Sequence, residues 1–133
     1  MTTYRKRDET AQIIWDDLDQ NGDSTSWEIR RRTGLTHMQF AYGLGYLKDE
    51  LQTDNGQPLV WSPYRGVYSL TDDEAEWEEY VLRYRMRSLD TQVGRLLQTA
   101  EAGGQKWGKR KRSTRILIAG LQSLHNLTQA LKT

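Results

Sequence analysis

Between Asp8 and about Gln20, Ala11, Ile14, Trp15 and Leu18 recur at three- and four-residue steps, so they share one face of a first helix. Asn21-Gly-Asp-Ser then breaks the pattern. Thr25, followed three residues later by Glu28, has the form of a capping box and opens a short second helix, Ser26 to Arg32. Gly34 suits the positive φ of a helix end and Thr36 the N-cap of the next helix, so a tight turn is expected between them. In a third helix from His37 to Leu51, Phe40, Leu44, Leu47 and Leu51 form the inward stripe, leaving His37, Gln39, Tyr42 and Tyr46 outward.

From Pro58 the pattern turns β-prone. Leu59-Val-Trp and Val67-Tyr-Ser-Leu are short strand-like runs, and Ser62-Pro-Tyr-Arg-Gly66 between them suits a hairpin turn. Thr71 with Glu74 is a further capping-box candidate, for a long fourth helix that Gly103-Gly104 would stop. Its stripe of Trp77, Val81, Tyr84, Leu89, Val93, Leu96 and Ala100 is longer than a small N-terminal core can cover. The basic segment Lys106-Trp-Gly-Lys-Arg-Lys-Arg112 leads to a final amphipathic helix from about Ser113, with Leu117, Leu121, Leu124 and Leu131 aligned. The expected fold is mostly α with a small β-hairpin: an N-terminal module over residues 1–71, then a helical region over 72–133 with a basic linker at 103–112.

At 133 residues the chain holds one ordinary core or a small core with a helical appendage. The mean hydropathy is low, −0.84. Even so, five Trp and seven Tyr provide large apolar surfaces that a disordered polymer of this polarity lacks. The absence of cysteine excludes disulfides, thiolate zinc sites and cysteine nucleophiles. His37 and His125 are the only imidazoles and lie far apart, so no metal is expected. There is no Walker-type glycine loop, no Gly-x-Ser-x-Gly elbow and no carboxylate pair beside a nucleophile, so neither an enzyme nor a cofactor is expected. The acidic run from Asp72 to Glu79 reads as a solvated face near a helix start. The charged N-terminus has no following apolar stretch, so no membrane association is expected and the cytoplasm is the default location.

A net charge of +1 carries no global argument for nucleic acid; the local distribution does. Arg30, Arg31 and Arg32 end the second helix, where cations also offset the helix dipole, and they stand immediately before the third helix. Helix, helix, tight turn, helix, strand, strand is the winged-helix order, and the chain resembles that family from about Asp8 to Leu70. Within it, Arg32-Thr-Gly-Leu-Thr-His-Met-Gln-Phe-Ala-Tyr-Gly-Leu-Gly-Tyr-Leu-Lys-Asp-Glu-Leu51 resembles the turn and recognition helix of bacterial and phage regulators. Gly66-Val-Tyr-Ser-Leu-Thr71 is similar to the second wing strand of PadR-type and MarR-type regulators.

The resemblance implies a winged helix-turn-helix that binds double-stranded DNA, with its third helix in the major groove and its hairpin tip on the backbone or minor groove. The residues agree with this. Gln39 has the amide to read an adenine edge, Thr36, His37 and Tyr42 reach base or phosphate atoms, and Lys48 is placed for a phosphate. Phosphate contacts are also expected from Arg30 to Arg32, from Arg65 at the wing tip, and from Lys109, Arg110, Lys111 and Arg112, with Trp107 able to stack among them. Gly43 and Gly45 inside a helix indicate close approach of another backbone, either DNA or a neighbouring helix. Trp15, Trp27, Trp61 and Trp77 are read as core or hinge packing, and His125 as an exposed or interfacial side chain. The uncovered stripe points to a homodimer through Leu89, Val93, Leu96, Leu117, Leu121 and Leu124. The expected function is a transcriptional regulator, a repressor on an inverted repeat. The alternatives are an architectural, replication or recombination directionality factor and a winged-helix protein-interaction module.

Overall fold

The computed structural model describes residues 6 to 131; Met1 to Arg5, within the charged N-terminal stretch considered above, and the last two residues lie outside it. The fold is mostly α with one antiparallel hairpin. It divides into two compact units, Met1–Trp77 and Glu78–Thr133. The division falls a few residues beyond the expected 71/72 boundary. Thr71 N–H donates to the Pro58 carbonyl at 3.1 Å and Gln57 Nε2 to Asp72 Oδ1 at 3.2 Å, which ties that stretch to the base of the hairpin.

In the first unit, α1 (Arg7–Asn21), α2 (Ser26–Thr33) and α3 (His37–Tyr46) enclose a core of Ala11, Ile14, Trp15, Leu18, Ile29, Leu35, Phe40, Leu44 and Leu47. The helical path continues past α3 through a wide π turn, Leu47–Leu51, and a short α4, Gln52–Asn55, ending at Gly56 in the left-handed region. The strands β1 (Leu59–Ser62) and β2 (Val67–Leu70) pair in register from Leu59↔Leu70 to Ser62↔Val67. Tyr68 packs edge-on against Phe40, with ring centroids 6.1 Å apart, fixing the hairpin to the helices.

Gly43 decides between the two expectations raised by the α3 glycines. A Cβ there would lie 2.5 Å from Thr10 Cγ2 and 3.0 Å from Ile14 Cδ1 of α1. The close neighbour of Gly43 is therefore a helix of the same unit. Gly45 meets nothing nearer than an Arg7 guanidinium nitrogen at 3.9 Å. Tyr46 was expected outward but is half-buried and packs against this core.

In the second unit, α6 (Met86–Trp107) and α7 (Arg112–Ala130) pack around Val93, Leu97 and Leu121, with Leu89, Ala100, Ile118 and Leu124 closing the edges. Before α6 the chain is helical through α5 (Glu74–Glu78) and a π segment, Glu79–Arg85. Two expectations change here. The glycine pair does not stop the helix; Gly108, at φ 84°, does, with its N–H on the Gly104 carbonyl at 2.9 Å. Gly104 is buried because the Lys109 stem and Ile118 lie within 3.5 Å of the position a Cβ would take. Thr71 and Glu74 also form no capping box. Asp73 caps instead, its Oδ1 accepting from Ala75 N–H at 3.0 Å, while Thr71 Oγ1 accepts from Asp73 N–H.

The proposed dimer stripe is corrected accordingly. Leu89, Val93, Leu121 and Leu124 find their partners across the α6–α7 pair of one chain, whereas Leu96 and Leu117 remain exposed. Of the four tryptophans assigned to packing, Trp15 is buried and Trp61 half-buried, but Trp27 and Trp77 are exposed. In the eight-residue α2 only Ile29 is buried, and Trp27, two positions away, falls on nearly the opposite side of the helix.

Candidate nucleic-acid interface

The α2–turn–α3 segment is built by local hydrogen bonds. Thr25 Oγ1 accepts from Glu28 N–H at 3.1 Å and Glu28 Oε1 from Thr25 N–H at 3.0 Å, a complete capping box. These bonds hold the Glu28 carboxyl below its ordinary range. Gly34 ends α2 in the left-handed conformation, φ 73°, with its N–H on the Arg30 carbonyl at 2.8 Å. A second box opens α3: Thr36 Oγ1 accepts from Gln39 N–H at 3.1 Å and Gln39 Oε1 from Thr36 N–H at 3.0 Å.

That second box changes the standing of Gln39. Reading an adenine edge takes both ends of the amide, and here the oxygen is engaged in holding the helix start. Gln39 is half-buried, whereas His37, Met38, Ala41 and Tyr42 form the exposed face of α3, with Tyr42 at 55%. Thr36 is exposed but uses its hydroxyl as the cap. Lys48, in the π turn, is exposed.

The three arginines have three different surroundings. Arg32 reaches back to α1, with Nη2 2.8 Å from Asp17 Oδ2 and Nε 3.0 Å from Asp17 Oδ1, and it also donates to Ser24 Oγ. The carboxylate hydrogen bonds raise the Arg32 pKa. Arg32 therefore joins α1, α2 and the connecting loop, an account that needs no phosphate. Arg30 is half-buried, with Nε 3.5 Å from the Leu35 carbonyl. Arg31 is exposed, its guanidinium 5.2 Å above the Trp27 ring one helical turn earlier, and Trp27 itself is 62% exposed.

At the hairpin tip, Arg65 pairs with Asp23 at 3.0 Å, both groups solvent-accessible. Gly66 N–H closes the turn on the Ser62 carbonyl at 2.7 Å. The same turn presents Tyr64 at 89% exposure. Tyr64 and Met38 were not singled out in the sequence; flanking a proline, or lying one position from a reading residue, carries no separate signal. Ser24 also bonds to the second strand, as donor to the Tyr68 carbonyl at 3.1 Å and acceptor from Tyr68 N–H at 2.8 Å. The sequence showed only a break in periodicity there.

In the second unit, Lys109 Nζ is held by Glu101 at 3.0 Å. Arg110, Lys111, Arg112 and Arg115 are exposed and make no ion pair among the described residues. Trp107, on the last turn of α6, is exposed with Lys106 Nζ 5.0 Å from its ring centre. His125, expected to be exposed or interfacial, is half-buried with Nδ1 3.5 Å from Asp90 Oδ1. Among the described residues no helix is long and apolar enough to cross a membrane, and no group of three His, Cys, Asp or Glu stands close enough to hold a metal ion. In comparison with known proteins, the chain matches no family model, no curated protein and no solved structure.

Proposed function

We propose that the chain is a double-stranded DNA-binding regulator of winged helix-turn-helix type, acting in the cytoplasm as a repressor. The observation that carries this is the exposed α3 face of His37, Met38 and Tyr42, which follows a tight turn and a cation, Arg31, presented on Trp27. A helix with one such face fits a major groove, and Arg31 supplies a backbone contact. The element order supports the same reading. So does the Ser24–Tyr68 bridge, which pairs one residue of the loop between α1 and α2 with the second strand of the hairpin. Arg110, Lys111 and Arg112 in the second unit add sequence-independent phosphate contacts.

One feature favours a second reading, a protein-interaction module. Met38, Tyr42, Tyr64 and Trp27 are all strongly exposed, and Met and aromatic residues concentrate at protein interfaces. Salt dependence separates the two. A gel shift with random duplex at low and at physiological salt gives binding that falls steeply with salt if phosphates dominate. Absence of any shift at low salt rejects the DNA reading and leaves the protein module.

A further inference from the structure

We infer that α6 and α7 carry, beside the seam that holds them together, a second apolar face that receives the same face of another copy of this chain. The seam consists of Asp90, Val93, Leu97 and Gly104 on α6, and Ile118, Leu121 and Thr128 on α7. The helices run antiparallel, because Asp90 near the start of α6 meets Thr128 near the end of α7, and Gly104 meets Ile118.

Apart from Ile116 and the terminal Trp107, three exposed apolar residues of the two helices sit one position before a seam residue. Leu96 precedes Leu97, Leu117 precedes Ile118, and Leu127 precedes Thr128. One position is about 100° of rotation in an α-helix. A two-fold rotation perpendicular to the pair exchanges antiparallel helices and preserves chain direction, so equal sequence offsets bring both stripes to the same side of the hairpin. Leu96 at 51% exposure and Leu127 at 54% therefore belong to one surface, which Leu117 and Leu131 extend.

The occupant is read from spacing, charge and size. Leu117, Gly120, Leu124, Leu127 and Leu131 follow steps of three, four, three and four, the heptad rhythm that meshes with another helix, with Leu124, which packs on the seam, at the inner edge of the row. The polar residues at the same offset on α6, Gln92 and Thr99, are uncharged, and α7 contains no carboxylate at all. An acidic peptide or an anionic membrane would be met by cations along the stripe. A face without charge is instead compatible with its own copy, since nothing on it repels. The four exposed leucines present on the order of 400 Å², about half of the roughly 800 Å² per partner of a stable interface, and the exposed Gln92, Thr99 and Gly120 lie on the same face. Two such hairpins face to face make a four-helix bundle. The interface does not depend on DNA binding, and either can fail without the other.

Sedimentation equilibrium on the full chain tests it. The expected result is the mass of two chains, reduced to one in the Leu96→Glu, Leu127→Glu double variant with helical circular dichroism retained. A wild-type monomer across the micromolar range overturns the inference, as does a double variant that stays dimeric. Should the double variant lose its helices, single cysteines decide, since the chain has none of its own. With a short bis-maleimide, Leu96→Cys joins two chains and Gln98→Cys, one position past the seam on the opposite side, does not. Equal cross-linking at both positions, or none at Leu96→Cys, sinks the proposal.

Discussion

Arg32 of α2 grips Asp17 of α1 through two guanidinium nitrogens, Nη2 at 2.8 Å and Nε at 3.0 Å, with the carboxylate almost fully buried. Removing the arginine leaves a buried charge without its partner. The expected cost of Arg32→Ala is about 2–4 kcal/mol, somewhat below that of a fully buried pair because the guanidinium is partly solvated. Arg31→Ala removes only an exposed stack on Trp27 and stays within about 0.5 kcal/mol. Urea unfolding of the two variants measures the contrast, and equal destabilisation refutes the division of roles. In DNA titrations Arg31→Ala should weaken all sequences alike and lower the salt slope by about one.

The two glycines of α3 part in the same way. At Gly43 a methyl would enter the space of Thr10 and Ile14, both fully buried, so Gly43→Ala forces α1 and α3 apart at about 1–3 kcal/mol. At Gly45 the nearest atom is 3.9 Å away, and Gly45→Ala gains helix propensity of up to about 1 kcal/mol. Thermal melts should therefore shift in opposite directions; parallel shifts would show that the helix packing is misassigned.

Those glycines also mark where sequence reading stops. The core stripe of α3, both caps of α2 and the presence of the hairpin were legible because each rests on residues close in the chain: Phe40 and Leu44 four apart, Thr25 and Glu28 three apart. Gly43 announced a close approach without naming its neighbour, since Thr10 is distant in sequence. Arg32 looked identical to Arg30 and Arg31 because Asp17 and Ser24 declare themselves only in three dimensions. What covers the inner stripe of the long helix was not legible for a related reason. An uncovered stripe has the same pattern whether α7 of its own chain or a second chain covers it, and only the burial of Val93 and Leu121 separates the two.

Glu28 makes the capping of α2 sensitive to acid. Its carboxyl is held below the ordinary value of 4.5 by bonds from the Thr25 backbone and side chain. A carboxylate depressed in the folded state contributes stability that is fully present above pH 4.5 and is lost as pH falls through the lower folded value. Urea midpoints of wild type and Glu28→Gln should therefore differ most near neutrality and converge in acid. A gap that stays constant down to acidic pH would remove Glu28 from this role.

Gln39 and Tyr42 stand three positions apart on α3 but do different work. Gln39→Ala opens the capping box and should lower stability by about 1 kcal/mol. Tyr42→Ala touches an exposed ring and should leave the melting temperature in place while reducing preference for a selected site over random duplex. Competition binding with both variants decides; a Tyr42→Ala chain with unchanged preference withdraws that residue from base reading.

Within the second unit, the carboxylate of Asp90 lies between the two helices, 2.7 Å from Thr128 Oγ1 and 2.8 Å from Gln129 Nε2. A buried acid in a leucine seam is costly unless its acceptors are met, so only one alignment of α7 on α6 satisfies it. Thr128→Val keeps the shape and removes the buried donor, which should cost about 1–3 kcal/mol. Replacing both partners, Asp90→Leu with Thr128→Val, removes the pair and should recover part of that loss, the buried His125 Nδ1 then losing its neighbour at 3.5 Å, and the two changes should not add in a double-mutant cycle. Additive effects in thermal unfolding would mean that Asp90 is satisfied without Thr128. The alignment of the two helices would then rest on leucine packing alone, which tolerates sliding by a heptad where a hydrogen-bonded carboxylate does not.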